Sequence, residues 1–375
     1  MRFAMSMPTD ATFMARAQAL AEQARPHCPP NPAVGCVLVS ADGALIGEGR
    51  TQPVGQAHAE VMALRDAAAR GHCTRGATAY VTLEPCAHHG RTGPCCDALA
   101  TAGVARVVAA LEDPNPRVAG QGLARLRAAG VQVQLGPGGE ASRALNLGFF
   151  SRMVRGTPWV RLKVAASADG RTALPNGLSQ WITAAPARED TQRWRARACA
   201  LLTGIGTVRQ DDPRLDVRLP EASRQPALVI VDSRLETPPD ARLWSAAARA
   251  IVVYTAVSDE TRHRALRARG ADVVALPDAR GKVDLPALLR DLSRREVNEV
   301  HVEAGHQLNG SLLREGLVDE LLLYQAPRLL GEGAGIAALG PYTDIEQAPE
   351  FDWREVEPVG RDLRLRAVLA GRDRF

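Results

Sequence analysis

Aromatic residues make up only 4% of the 375 residues, and the net charge is only +4. Few aromatics leave little surface on which single-stranded bases could stack. The small positive excess is scattered along an Arg-rich chain without a basic block, so no nucleic-acid partner is expected. No apolar stretch approaches the roughly 20 residues a spanning helix needs, so no membrane partner is expected either. No N-terminal apolar run ends in a small-residue cleavage site, and no secretory signal is expected. Seven cysteines without paired spacing argue against a disulfide scaffold. They suit reduced thiols, a metal site and a cytoplasmic location.

What the chain does have is 46% hydrophobic residues, ample for packed cores at a length that suggests two domains. The most telling local pattern is His58-Ala59-Glu60, followed by Pro85-Cys86 and Pro94-Cys95. One imidazole and two thiolates suit tetrahedral Zn²⁺ with a fourth position left to water. Glu60, a poor extra ligand, is placed to move protons beside the metal, as in zinc nucleobase deaminases. His58 and Glu60 are expected in the first turn of a helix spanning Ala57 to Arg70. Pro94 is expected to open a second helix, whose positive end favours the Cys95 thiolate. Eight residues separate Cys86 from Cys95, where Pro-Cys-x-x-Cys is the commoner arrangement. His88, His89 and Arg91 in that insert suit an anionic substituent such as a sugar phosphate. Another reading closes the site structurally with His88 or His89 as a fourth ligand. Cys96 could compete for the metal, although one helical step turns it about 100° away.

Residues from about 10 to 150 alternate helix and strand. Helix Ala11 to Ala24 precedes strands Ala33 to Val39 and Leu45 to Gly49. The His58 helix, strand Ala77 to Leu83, the Cys95 helix and strand Val104 to Leu111 follow, which implies an α/β sandwich. Asp113-Pro114-Asn115-Pro116 reads equally as a loop near the site or as a plain connection. Asn31, before Pro32, can donate and accept at once and suits a pyrimidinone edge or a ribose. A boundary is expected near Arg152 to Pro158, dividing the chain into residues 1–154 and 155–375. The second half again alternates, with strands starting at Trp159, Leu201, Ala227, Ala250, Asp272 and Glu299. Helices are expected over Pro186 to Cys199, Asp259 to Arg269, Leu285 to Arg294 and Asn309 to Glu315. β segments close it at Glu320 to Tyr324 and Leu363 to Val368. Two Gly-rich turns, Gly204-Ile205-Gly206-Thr207 and Gly305 to Ser311, each follow a strand and open a helix. Each reads as an ordinary strand-to-helix turn or as one that can admit a dinucleotide pyrophosphate, and the pair together favours the dinucleotide. The first lacks the third glycine of a Rossmann fingerprint.

With these residues in view, the chain resembles, nearly end to end, the bifunctional riboflavin-biosynthesis deaminase–reductases. The likeness rests on Asn31 to Gly35, His58 to Glu60, the Glu84 to Cys96 stretch with its insert, Ser167 to Arg171, Ser179 to Thr183, Asp211 to Pro213, Val231 to Ser233 and Val302 to Gly305. It implies a cytidine-deaminase-like α/β/α sandwich followed by a dihydrofolate-reductase-like α/β domain. The first would remove the 2-amino group of 2,5-diamino-6-ribosylamino-4(3H)-pyrimidinone 5′-phosphate, and the second would use NADPH to reduce ribosyl to ribityl. By the resemblance His58, Cys86 and Cys95 hold one zinc per chain and Glu60 shuttles protons. Ala165, Trp181, Thr207, Asp211, Ser233, Gly305, His306, Gln307, Leu308, Asn309, Gly310 and Ser311 would contact NADPH. Asn31, His88 and Arg91 would meet substrate in the first domain; Ser179, Arg195, Leu215, Arg218 and Glu303 would do so in the second. Arg195 and Arg218 suit a phosphate. Ala165 stands where relatives often carry Gly, and His306 is unusual in its turn. A homo-oligomer is expected. Two other readings stay open: a deaminase of nucleic-acid bases with a docking module, and a non-catalytic protein that kept the fold.

Overall fold

Contacts divide the chain into two units, Met1–Arg155 with Phe375 and Gly156–Arg374. The structure, a computed structural model, describes residues 9–88, 93–116, 118–220, 222–246 and 249–375.

The first unit runs α1 (Asp10–Ala24), β1 (Gly35–Val39), β2 (Leu45–Arg50), α2 (Ala59–Ala69), β3 (Thr78–Val81), α3 (Cys95–Thr101), β4 (Arg106–Ala109), α4 (Gln121–Ala128), β5 (Gln132–Leu135), α5 (Gly139–Leu145) and α6 (Leu147–Arg155). Its sheet has the order β2-β1-β3-β4-β5. β1 is antiparallel to β2 and β3, while β3, β4 and β5 run parallel. Alternation along the strands feeds two cores. Val37, Val39, Tyr80 and Val108 meet Met14 and Ala17 of α1. Cys36, Leu38, Ala79 and Val107 meet Ala59, Ala63, Leu99 and Leu126 on the other face. Helices therefore cover both faces, as expected.

Boundaries differ from the sequence reading for identifiable reasons. β1 begins at Gly35, not Ala33, because the Ala33 and Val34 N–H groups donate to Asn146 Oδ1 and Thr51 Oγ1. His58 is not in the first turn of α2 but is its N-cap, with extended backbone (φ −77°, ψ 170°). Pro94 likewise caps α3 from outside, so Cys95 is the first helical residue. The pattern had not suggested α4, β5 or α5.

The second unit contains β6 (Trp159–Ser167), β7 (Arg171–Ala173), α7 (Ala185–Arg197), β8 (Ala200–Gly204), α8 (Ile205–Asp211), β9 (Ala227–Val231), β10 (Ile251–Thr255), α9 (Glu260–Arg267), β11 (Ala271–Ala275), α10 (Leu285–Arg294), β12 (Glu299–Val302), α11 (His306–Arg314), β13 (Glu320–Ala326), β14 (Ala334–Gly335), β15 (Phe351–Val359) and β16 (Asp362–Leu369). Among the described residues nine strands form one sheet, ordered β11-β10-β9-β8-β12-β6-β13-β16-β15. Its first seven are parallel, and β16 and β15 continue it antiparallel. Leu162, Leu202, Val229 and Val302 pack against Leu288, Leu289 and Leu292 of α10. Leu201, Leu228 and Ile230 pack with Val208 of α8 and Leu266 of α9 on the opposite face. α11 starts at His306, not Asn309, because Gly305 takes the extended N-cap conformation. Among the described residues no helix is long and apolar enough to cross a membrane.

Candidate active sites

Two polar sites emerge, one in each unit. In the first, β2 carries glycine where α2 lies on it: a Cβ at Gly49 would stand 2.1 Å from Ala59 O, and one at Gly47 2.4 Å from Ala63 O. Only bare backbone lets α2 approach so closely. That approach fixes His58 and Glu60 at the helix start. Cys86 comes from the turn after β3 and Cys95 from the first position of α3. Cys95 Sγ lies 3.3 Å and Cys86 Sγ 3.6 Å from His58 Nδ1. The ligand atoms of all three residues fall within 4.8 Å of one another.

The electrostatics of this cluster call for a cation. The hydrogen bond from the Cys95 thiol, aided by His58, pushes Cys86 down to about 4. The same contact pushes Cys95 well up, so the two sulfurs contest one proton. A divalent ion would let both be thiolates. Glu60 is 3% exposed, and burial, with Cys86 adding to it, raises its carboxyl to about 7. The donor set fits zinc, and the buried Glu60 carboxyl lies beside it.

Around this cluster, Asn31 lies in the loop entering β1, its N–H on Cys28 O. His88 is exposed two residues after Cys86, and its charge acts on Asp113. Arg91 and His89 lie outside the described residues. Asp113 is pushed up to about 6, chiefly by burial. The Asp113 N–H donates at 3.0 Å to Oε2 of Glu84, two residues before Cys86, so the turn that the sequence left undecided lies near the site.

The second site is a cavity of about 1130 Å³ at the C-terminal ends of β6, β8 and β12, where parallel sheets place ligands. It brings together Ala165, Ser179, Trp181, Arg195, Thr207, Asp211, Leu215, Arg218 and Glu303, with the turn from Gly305 to Asn309. The two Gly-rich turns face each other: a Cβ at Gly305 would lie 3.9 Å from Thr207 Oγ1. Asn309 donates through Nδ2 to Ile336 O at 2.9 Å. Its buried Oδ1 has no partner among the described residues, an acceptor left for a ligand. These features fit a dinucleotide such as NADPH. Three expected contacts do not line the cavity. Ser233 accepts from the Val283 N–H, Gly310 packs against Ala338 O where a Cβ would lie at 2.2 Å, and Ser311 bonds Gln307 O.

The arginines divide their work differently from the sequence reading. Arg195 is almost buried, and Glu303 and the Asp216 carbonyl occupy all three of its nitrogens. Asp216 in turn sits between Arg214 at 2.7 Å and Arg218 at 2.6 Å, both about half exposed at the cavity rim. Two guanidiniums sharing one carboxylate leave a net positive charge suited to phosphate. Arg214 was missed, as was Lys163, which burial pushes down and which faces Glu303. A single Arg in an Arg-rich sequence, or a Lys in a strand, carries no local signal of this kind.

Comparison with known proteins agrees with both sites. Residues 158–365 match the RibD C-terminal domain, and residues 7–111 match the cytidine and deoxycytidylate deaminase zinc-binding region. The riboflavin biosynthesis protein RibD of Escherichia coli is 45% identical, covering 96% of this chain and all of its own. The Haemophilus influenzae RibD is 42% identical over 95% of this chain and 96% of its own. Among solved structures, Acinetobacter baumannii RibD superposes with a TM-score of 0.86 at 41% identity, covering 96% of this chain and 99% of that one. The Thermotoga maritima diaminohydroxyphosphoribosylaminopyrimidine deaminase/5-amino-6-(5-phosphoribosylamino)uracil reductase gives 0.85 at 32% identity with the same coverage. Likeness at this level over the whole length places the chain in the RibD family, the two-domain deaminase–reductase enzymes of riboflavin biosynthesis.

Proposed function

We propose that residues 1–154 deaminate 2,5-diamino-6-ribosylamino-4(3H)-pyrimidinone 5′-phosphate and residues 155–375 then reduce the ribosyl chain of the product to ribityl with NADPH. The substrate and product carry the chemistry named for the Thermotoga maritima relative. The observation that carries the reading is the convergence of His58, Cys86 and Cys95 beside a buried Glu60, in a chain that also holds a dinucleotide-sized cavity.

In the first site, zinc held by His58, Cys86 and Cys95 supplies a Lewis acid that makes water nucleophilic near neutral pH. Glu60, poised near 7 by burial, takes a proton from the attacking water at a carboxylate oxygen and returns it to the departing amino group. Ammonia leaves, the water's second proton ends on the ring nitrogen, and a ring carbonyl takes the amino group's place. His88 and Arg91 would meet the sugar phosphate, and Asn31 the ring edge or ribose. In the second site, NADPH supplies a hydride. The Gly-rich turns hold the dinucleotide, Arg214 and Arg218 meet the substrate phosphate, and Arg195 fixes Glu303 in the cavity. Lys163, held beside Glu303 with its ammonium pushed down by burial, gives a proton to the ribosyl oxygen as its carbon is reduced. The seven free thiols suit a cytoplasmic enzyme, and the exposed Trp353 and Val356 on β15 suit a homo-oligomer contact.

The test is to incubate the purified, zinc-loaded protein with the diaminopyrimidinone phosphate, with and without NADPH. Ammonia should appear without cofactor, and NADPH absorbance should fall once the deaminated compound is present. NADPH consumption with no deaminated compound ever detectable would overturn the order of steps.

A further inference from the structure

Glu84 follows β3 and directly precedes the Pro85–Cys86 turn. It is a carboxylate only 5% exposed, and the reaction gives it no task. Both its oxygens are fully engaged by main-chain donors. Oε1 accepts from Gly122 at 2.7 Å and Leu123 at 3.2 Å; Oε2 accepts from Gly120 at 2.9 Å and Asp113 at 3.0 Å. Three of these N–H groups belong to the start of α4, whose own cap is Gly120 at φ 75°, a residue with no side chain to offer. Glu84 therefore caps that helix from a distant part of the sequence.

The fourth bond lies outside the helix and reaches the Asp113 N–H, on the segment that follows β4. The link from Glu84 to Cys86 is stiff, because Pro85 fixes its own φ. It is also tight, because a Cβ on Gly122 would stand 1.8 Å from the Pro85 carbonyl oxygen. One carboxylate thus ties together the turn that carries a thiol ligand, the Asp113 segment and the start of α4. Resting on the zinc-deaminase reading above, we propose that Glu84 is a positioning residue of the deaminase site, locking Cys86 and the Asp113 segment into one arrangement. A cap alone would need only the α4 contacts. The bond to Asp113 and the apposition of Pro85 extend its reach to the Cys86 turn and the Asp113 segment.

Glu84→Gln tests this in the full-length, zinc-loaded protein. The amide keeps one acceptor oxygen but turns N–H groups toward two backbone donors. Zinc release to a chromophoric chelator should quicken by about 10- to 100-fold, the usual range for losing a partner outside the ligand shell. Deaminase KM should rise and kcat fall, while reduction of the deaminated substrate by the same sample stays at the wild-type rate and certifies the fold. Glu84→Asp, which keeps the charge but loses reach, should fall between. A Glu84→Gln protein with a lower melting temperature but unchanged zinc release and KM would reduce Glu84 to a helix cap and sink the proposal. A second measurement covers a variant that does not fold. In the wild type, stripping zinc should speed hydrogen exchange at the Asp113, Gly120, Gly122 and Leu123 amides together; no change there would equally overturn the coupling. A wild type that neither bound zinc nor deaminated would instead bring down the deaminase reading itself.

Discussion

Arg195 holds Glu303 through two parallel hydrogen bonds, Nε to Oε1 at 2.6 Å and Nη2 to Oε2 at 2.8 Å, at the wall of the reductase cavity. Burial pushes the Glu303 carboxyl up, but the charge and hydrogen bonds of Arg195, with His301 and Lys163, hold it well below its usual value. Removing the guanidinium leaves a buried carboxylate without its main partner, which costs about 3–5 kcal/mol. Arg195→Ala should therefore lower the melting temperature and abolish NADPH oxidation while ammonia release persists. Full reductase activity in that variant would show that the pair only decorates the cavity.

The rim pair makes a separate prediction. Arg214 and Arg218 share Asp216, and each keeps donors facing solvent. A hydrogen bond between charged groups contributes about 1.5–3 kcal/mol, and half-exposed arginines belong at the low end. Arg218→Ala should raise reductase KM by about tenfold, since about 1.4 kcal/mol corresponds to a factor of ten. Arg214→Ala should do so by less. Assays with the dephosphorylated substrate separate the readings: wild type and variants should converge, and a persistent gap would move the phosphate elsewhere.

The zinc cluster was legible in the sequence because its chemistry demands particular residue types, whatever fold carries them. His58, Glu60, Cys86 and Cys95 meet where the motif placed them. The helices that carry them were also legible, α2 from apolar spacing and α3 from Pro94 as a helix start, but not their first residues, which capping decides. α4 escaped notice because its cap is Glu84, a contact that no local window contains. β5, with one partly buried residue among exposed neighbours, and β15, exposed along most of its length, lack the alternation that betrays a strand. The cavity arginines were half legible: type and position suggested phosphate, yet only the structure shows that Glu303 already claims Arg195.

Asp169 supplies a pH-dependent contact. It accepts hydrogen bonds from Ser167 Oγ and from the Leu330 and Gly331 N–H groups, which hold its carboxyl down at about 2. A lowered carboxyl contributes stability above its ordinary value of 3.8 and loses it as pH falls through about 2. The Leu330 and Gly331 amides should therefore lose exchange protection between about pH 4 and 2. In Asp169→Asn the two amides should be less protected than in the wild type above about pH 4, with no acid step. An unaltered step in the variant would assign it to another group.

Gly49 tests how closely α2 must ride on the sheet. A Cβ there would lie 2.1 Å from Ala59 O and 2.4 Å from Ala63 N, main-chain atoms that no side-chain rotation can move aside. Gly49→Ala should cost roughly 1–3 kcal/mol by overpacking. It should also displace His58 and Glu60 together, so deamination and zinc retention fall while NADPH oxidation with the deaminated substrate is spared. Equal loss of both activities would point to general unfolding.

Glu60 gives the sharpest test of the mechanism, because its burial would be costly in a site built only for structure. Burial alone disfavours a charged carboxylate, and the nearby Cys86 thiolate adds to the effect, so the group is held near 7 where it can both take and return a proton. A zinc site that served only the fold would gain nothing from such a neighbour. Glu60→Gln preserves size and one acceptor while removing the titrating proton. Zinc should remain near one per chain by metal analysis and the melting temperature should stay close to wild type. Deaminase kcat should fall by about 10²- to 10⁴-fold, the usual contribution of a positioned acid–base group. Reductase activity in the same preparation should be unchanged. If kcat fell less than about tenfold with zinc in place, the proton would have to travel by another route.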